Sequence, residues 1–308
     1  MKVNIQVEGQ RGLNWPRWQR LGLAVEQLGF AGLFRSDHFL DAEPPDQDSL
    51  ELWVSLAWLA DHTRRIQFGP LVSPVSFRHP VHTARIAKDV DDLSGGRLVL
   101  GLGAGWGGGV REHEAFGFDL LDTASRFKRF TEALEIITAL LRSDVPVTFA
   151  GEYYRLQEAT LLPRPQRPNG PPILIGGNGP NLVLSLAARY ADEWNGIYRT
   201  PAQFAQLNRR LDELLLENGR QPGEVRRSQM KGLVFGRNDT ELRQGLAGRD
   251  PAGLLERGLI VGTPAAVVDQ LGQLAQAGMQ GVMLQWADLD DEAGLEAFAQ
   301  TVLPQVQR

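Results

Sequence analysis

The feature that most constrains this chain is a change of period that repeats along nearly its whole length. Stretches in which apolar residues alternate or run together give way to stretches in which they recur at three- and four-residue spacing, and this exchange happens eight times. KVNIQVE at 2–8 leads to a helical pattern over 16–28 with Leu21, Val25 and Leu28 on one face. AGLFRS (31–36) is followed by SLELWVSLAWLADH (49–62), and RIQFGPLV (65–72) by a helix over 80–93. RLVLGLGA (97–104) precedes a long helix over 123–142, after which VTFAGEYYRL (147–156) reads as a short hairpin turning at Ala150-Gly151. PPILIGG (171–177), EWNGIY (193–198), SQMKGLVFG (228–236) and GVMLQW (281–286) then lead to helices over 180–190, 201–218, 263–278 and 291–306. Thr263-Pro264 supplies a cap and first turn for the seventh helix.

Strands that alternate with helices form a parallel sheet, and eight units in 308 residues predict an α/β fold: a (β/α)8 TIM barrel with a small hairpin insertion after the fourth helix, one domain over 1–308. A doubly wound sheet is the rival, but nothing divides the chain into two halves, and PRPQRPNGPP at 163–172 reads as a stiff connector. A net charge of −5 argues against nucleic acid or an anionic membrane as partner and leaves a small-molecule substrate. The absence of cysteine excludes disulfides, thiolate metal sites and a cysteine nucleophile. No window approaches the roughly 20 apolar residues of a membrane span, and no signal-peptide core precedes the first strand, so a soluble, cytoplasmic protein is expected.

In such a barrel chemistry belongs at the carboxyl ends of the strands. The second ends in Ser36-Asp37-His38, residue types that in isolation serve turns more often than catalysis, but whose place in a barrel favours function. After the third, Pro70 and Pro74 bracket Leu71, Val72 and Ser73 and interrupt an ordinary ladder, which predicts a bulge or a turn. The fourth ends in GLGAGWGGGVREH, where Gly101, Gly103 and Gly105 are too weak a match for a dinucleotide fingerprint and instead let a ligand approach the backbone. The fifth ends in Gly176, Gly177, Asn178 and Gly179, whose N–H groups, with the helix that follows, form a candidate anion site. The five histidines form no HExxH pattern, no metal site is expected, and no GxSxG elbow occurs. Lys231, before the apolar GLVFG, is poorly placed for Schiff-base chemistry, while Trp53, Trp58 and Phe130 read as core.

Together LGFAGLFRSDHF, GPLVSPVSFRHP, LSGGRLVLGLGAGW, GEYYRL and PPILIGGNGPNLVLSLAARYADEWN, with GTPAAVVDQL in the last third, resemble the bacterial-luciferase-like superfamily, specifically its oxidoreductases that use the deazaflavin coenzyme F420. The resemblance implies a flat cofactor at the carboxyl face with Asp37 and His38 beside its ring, His38 at the redox centre, and a non-prolyl cis peptide at Leu71-Val72 bracing one ring face. It also implies that Gly103, Ala104 and Gly105 flank the ribityl chain or ring edge, that Gly177, Asn178 and Gly179 offer donors to a phosphate, and that Ile197 lies on the other side of the ring. In the implied reaction a hydride passes between F420 and a small organic substrate or a nicotinamide; His38 handles the proton, and Asp37 orients it or binds the ring edge. Trp106 stands where relatives that oxidise sugar phosphates carry a glutamate, so that activity is not implied. GGGVREH is longer and richer in glycine than the usual segment, with Arg111 or Glu112 as substitute cofactor contacts. The alternatives are an FMN-dependent luciferase-like monooxygenase and a non-catalytic cofactor-binding barrel. Homodimerisation is a family expectation, with LELWVSLAWLADH a possible interface.

Overall fold

The barrel strands explain why the N-terminal stretch alternates. In the computed structural model, which describes residues 1–307, strand β1 (Lys2–Val7) turns Val3, Ile5 and Val7 into the layer between sheet and helices, while Asn4 and Gln6 are buried polar residues of the opposite face. Asn4 Nδ2 is satisfied by the Val282 carbonyl at 3.0 Å. The remaining strands are β2 (Gly32–Arg35), β3 (Gln67–Pro70), β4 (Ser73–Pro74), β5 (Leu100–Gly103), β6 (Val147–Ala150), β7 (Arg155–Ala159), β8 (Ile173–Gly176), β9 (Glu193–Ile197), β10 (Arg226–Phe235), β11 (Ile260–Gly262) and β12 (Gly281–Gln285). The main sheet runs β3-β2-β1-β12-β10-β9-β8-β5-β4, with β11 on β10, and its pairings are parallel. It comes round on itself where the Phe68 carbonyl accepts from the Val99 N–H at 2.9 Å. A Cβ at Gly69 would collide with the Val99 carbonyl there, so the glycine permits the close approach. This is the expected TIM-barrel architecture.

Helices surround the sheet: α1 (Trp15–Gln27), α2 (Leu52–His62), α3 (Pro80–Leu93), α4 (Val110–Phe116), α5 (Thr123–Arg142), α6 (Val183–Tyr190), α7 (Pro201–Glu217), α8 (Asp239–Leu246), α9 (Pro251–Glu256), α10 (Pro264–Gln276), α11 (Glu292–Thr301) and α12 (Leu303–Val306). Their starts show local chemistry: Asp122 caps α5, and Thr200 and Gln203 close a capping box on α7. Thr263 occupies the cap position of α10 but makes no side-chain cap bond. Inside the barrel Phe34, Leu71, Val99, Leu174 and Met283 form a small core of their own, with Val72 and Met230 against it. Strands β6 and β7 pair antiparallel, and the Glu132 carboxylate of α5 accepts the N–H groups of Glu152, Tyr153 and Tyr154 in the turn between them. No helix is long and apolar enough to cross a membrane among the described residues.

Four stretches depart from the expected pattern. The third strand stops at Pro70, and the chain passes through a cis Leu71–Val72 peptide before the two residues of β4. The fifth helix of the sequence pattern, α6 here, begins at Val183 rather than 180, after an irregular turn in which the Leu184 N–H reaches the Gly179 carbonyl. The last helix splits around Val302 because Pro304 has no N–H to continue it. The polar segment after β10, NDTELRQGLAGRDPAGLLERG, to which the sequence pattern assigns no element, forms α8 and α9 over a satellite core of Val234, Leu246, Leu254 and Val261, and strand β11 follows.

Candidate active site

The carboxyl ends of the strands enclose a cavity of about 380 Å³. Glu8 reaches it after β1, His38 after β2, Leu71 and Val72 at the cis peptide, and Gly103, Ala104, Gly105 and Trp106 at the end of β5. Gly176 and Gly177 after β8 and Ile197 on β9 complete the ring, with Phe127 and Phe130 of α5 behind. Phe130 therefore belongs both to the core and to the site. Val72 makes the floor, and the glycines serve it: a Cβ on Gly103 would lie 2.7 Å from a Val72 methyl and one on Gly176 at 3.0 Å. The glycine spacing of β5 thus fits the neighbouring bulge before it fits any ligand. Gly101 shows the same thing, since its Cβ would meet the Pro70 carbonyl.

His38 is held from below. Its Nδ1 lies 2.9 Å from Glu112 Oε2, and the other oxygen of that carboxylate accepts from the backbone N–H groups of Phe39 and Leu40. Glu112 is nearly fully buried, on the short helix α4 that the glycine-rich stretch conceals in the sequence. Burial works against a charged imidazole, but the Glu112 hydrogen bond and charge, helped by Glu8 and Asp37, raise the His38 pKa above its ordinary 6.5. Burial likewise opposes the Glu112 carboxylate, and His38 together with the two backbone donors pulls its pKa below 4.5. With Nδ1 engaged, Nε2 is the nitrogen left for a ligand. Arg111, the other substitute contact considered, pairs with Asp46 at 2.7 Å and clips the loop after β2 to α4.

Asp37 does not orient His38 and is not among the cavity's lining residues. Its carboxylate takes both terminal nitrogens of Arg78 and the Ser73 hydroxyl at 2.7 Å, and Arg78 continues to Glu51 at 2.7 Å. Burial pushes this carboxyl up, with Arg78 pulling the other way. Asp37 is thus buried against Arg78 and Ser73, while His38 lines the cavity. Ser73 shares the arrangement: its hydroxyl ties the segment after the cis peptide to Asp37 and does not line the cavity. Ser36, by contrast, does line it, and its hydroxyl accepts from the Gly9 N–H and donates to Gln10.

The glycine turn after β8 is also partly spoken for. The Gly177 N–H donates to the Asn195 carbonyl, and the Asn178 side chain bonds both the N–H and the carbonyl of Ile197 at 2.9 Å. Asn178 thus fixes the end of β9 from outside the cavity, and Gly179 beside it is likewise not among the lining residues. Two arginines that sequence reasoning passed over lie on α5 beside Phe127 and Phe130, which line the cavity. Arg126 and Arg129 of α5 are more than nine-tenths buried, yet their terminal nitrogens meet only Gly105 O, Thr123 Oγ1 and Asp119 O, and each Nε is buried without a partner. A buried guanidinium without a carboxylate fits a ligand anion. Their i, i+3 spacing, interleaved with Phe127 and Phe130 in SRFKRF, was the available signal. Lys231 bonds the Arg199 and Gly258 carbonyls at 2.5 and 2.7 Å, and burial lowers its pKa to about 8. It is not among the residues lining the cavity.

The carboxyl face of this parallel barrel thus gathers a histidine–glutamate pair, a cis-peptide floor and, nearby on α5, two buried arginines. Residues 3–249 match the family described as luciferase-like monooxygenase, and the chain belongs to that family. It is 34% identical over 175 residues to a 4-hydroxyprotoasukamycin monooxygenase of Streptomyces nodosus subsp. asukaensis, covering 56% of this chain and 45% of that protein. It is 34% identical over 169 residues to an F420-dependent glucose-6-phosphate dehydrogenase of Kineococcus radiotolerans, covering 54% and 48%. The chain thus spans about half the length of these curated relatives. A solved F420-dependent secondary alcohol dehydrogenase, in complex with an F420–acetone adduct, superposes with a TM-score of 0.86 at 18% identity over 100% of this chain and 99% of that one, a likeness of fold.

Proposed function

We propose that this chain is an oxidoreductase that moves a hydride between coenzyme F420 and a carbon of a small organic substrate, with His38 carrying the accompanying proton. The observation that carries the reading is the His38–Glu112 pair, anchored by two backbone donors and set at the mouth of a cavity floored by Leu71 and Val72. The deazaflavin, when bound, supplies a two-electron hydride carrier. Leu71, Val72, Gly103, Ala104 and Ile197, which line the cavity, would hold its ring. The buried guanidinium groups of Arg126 and Arg129, or the backbone N–H groups of Asn178 and Gly179 at the rim of the mouth, would hold its phosphate. Asp37 acts through Ser73 and Arg78 by fixing the floor. His38 Nε2 takes the proton of a substrate hydroxyl during oxidation and returns it during reduction, and Glu112 keeps the imidazolium in place meanwhile. Val72, Phe77 and Phe130 keep water from the reacting atoms.

Purified protein mixed with oxidised F420 and a secondary alcohol is expected to bleach the deazaflavin absorbance band. The rival reading is an FMN-dependent monooxygenase, supported by relatives such as the 34%-identical Streptomyces monooxygenase. Substrate-dependent oxygen uptake with FMN, and no bleaching with F420, would put that reading in place of ours. Binding of either cofactor with no turnover of any alcohol, ketone or enone would leave a binding barrel.

A further inference from the structure

We propose that Glu8 selects the substrate, and that the molecule turned over in the barrel mouth carries a protonated amine, which this carboxylate binds while the reacting hydroxyl or carbonyl lies at His38. The inference rests on the proposed function and narrows its substrate to amino alcohols and the matching amino ketones. Glu8 follows β1 and continues the face of Asn4 and Gln6, each two residues apart on extended backbone, so its side chain is delivered into the mouth. The lining there is largely apolar, with Leu71, Val72, Phe77, Phe130, Ile197 and Met230, and it includes no lysine or arginine among the described residues. Its carboxylates are Glu8 and Glu112. Glu112 is engaged by His38 and by two backbone N–H groups. Glu8 forms no ion pair among the described residues and bonds only uncharged donors.

Those donors are the side-chain amides of three glutamines. Oε1 accepts from Gln6 at 3.1 Å and from Gln285 at 2.8 Å, and Oε2 accepts from Gln10 at 3.2 Å. The clasp has a fixed sense. Gln285 Oε1 takes the Tyr198 hydroxyl and Gln10 Oε1 takes the Ser36 hydroxyl, which turns both Nε2 groups toward the carboxylate. Neutral donors hold an ionised carboxylate in place without cancelling its charge, and of its roughly four acceptor positions one, on Oε2, is left for a ligand. The cations near enough to feel Glu8 are committed elsewhere. Arg11 pairs with Asp41 at 2.7 Å, and the buried Arg35 bonds oxygens of Ser36, Leu50 and Ser55. The charge is felt across the mouth: burial and then Glu8 push the Tyr198 hydroxyl up to about 12, and Glu8 helps to raise His38. A carboxylate fixed beside apolar side chains and short of one donor calls for a cation that brings an N–H with it, as an ammonium group does. In oxidation the alcohol carbon gives up a hydride, with its electron pair, to the deazaflavin, the hydroxyl proton passes to His38 Nε2, and the ammonium stays unchanged on Glu8.

Three alcohols of matched skeleton test this, with bleaching of F420 as the readout: 4-aminobutan-2-ol, pentan-2-ol and 3-hydroxybutyrate. In wild type the amino alcohol is expected to exceed the neutral one in kcat/KM by about ten- to hundredfold, mostly through KM, the usual worth of a hydrogen bond between charged groups. The hydroxy acid should fall below both. In Glu8→Gln the amino alcohol loses its advantage and the penalty on the hydroxy acid shrinks, whereas Glu8→Asp, which keeps the charge, retains part of the preference. Equal kcat/KM for the amino and neutral alcohols in wild type would overturn the proposal. So would a Glu8→Gln loss that is the same for all three alcohols, or one matched by a loss of F420 affinity in calorimetry, because Glu8 would then serve the fold or the cofactor. If Glu8→Gln does not fold, the wild-type ratios and Glu8→Asp decide. Turnover of pentan-2-ol without a preference for the amine removes this inference alone; turnover of none of the three removes the proposed function with it.

Discussion

The two sides of the barrel mouth are held by different kinds of bond. From β2 to α4 the loops are fastened by ions: Asp37 on Arg78 and Glu51 beyond it, Glu112 on His38, Asp46 on Arg111 and Asp41 on Arg11. At the ends of β8, β9 and β11 neutral amides and carbonyls do the fastening, while ion pairs such as Arg237–Glu241 and Arg17–Asp290 lie outside those three ends. Asn178 clasps Ile197, Gln285 meets the Tyr198 hydroxyl, Gln229 takes the Arg199 N–H, and Gln270 spans Val261 and Ala266. Lys231, on that side, binds two carbonyls and no carboxylate. The contrast teaches where a fold invests charge. A side chain that must gain and lose a proton needs a fixed counter-charge near it, whereas a wall that only shapes a space is served by neutral bonds and its own small apolar core.

The sharpest way to break this comparison is to remove the titrating group. His38→Ala is expected to lower turnover by about 10²- to 10⁴-fold, the usual worth of positioned acid–base catalysis, while cofactor affinity changes only a few-fold. Steady-state rates beside calorimetric binding check both halves of that statement. A parallel loss of binding would mean that His38 holds the ring and does not move protons.

Next in size is the buried ion pair of the same side. Asp37→Ala leaves Arg78, whose side chain is 15% exposed, without its main counter-charge. Removing one member of such a pair costs about 3–5 kcal/mol, measurable as a lower midpoint of chemical denaturation. On the neutral side Leu254→Ala empties part of the satellite core and is expected to cost about 2–5 kcal/mol. The two variants should differ in their effect on the cofactor. The first loosens Ser73 and the floor and weakens cofactor binding, whereas the second leaves binding as it was. If Leu254→Ala weakened the cofactor equally, the division between the two sides would be false.

Much of this arrangement was legible in the sequence because the signals are local. Eight changes of period announce the barrel, Pro70 and Pro74 announce the interruption around the cis peptide, and a polar triplet at the end of a buried strand announces His38. What escaped depends on distance along the chain or on side-chain direction. Glu112 meets His38 across 74 positions and sits on a seven-residue helix behind three glycines, too short for a period to show. Arg78 meets Asp37 across 41 positions. That Asp37 bonds Arg78 and Ser73, with His38 beside it lining the cavity, depends on side-chain direction that the triplet alone does not carry. Helices α8 and α9 each bury a single residue, Leu246 and Leu254, so their polar stretch carries no apolar stripe to read.

The smallest expected effect probes the ionic side by pH. His38 has a folded-state pKa raised above 6.5, so its contribution to stability is full below the unfolded value and is lost as pH climbs through the folded one. Glu112 has a folded-state pKa held below 4.5, so its contribution is present above the unfolded value and is lost as pH falls through the folded one. Both partners are charged, and the bond is strongest, between about pH 4.5 and 6.5. Wild type minus Glu112→Gln, measured as denaturation free energy, should therefore peak in that window at about 1.5–3 kcal/mol, the worth of a hydrogen bond to a charged group, and shrink on either side. The His38 imidazole, followed by NMR, should titrate above 6.5 in wild type and lower in the variant. A stability difference flat from pH 4 to 8 would show that Glu112 serves the backbone N–H groups of Phe39 and Leu40 alone, and the ionic side of the mouth would then owe His38 nothing.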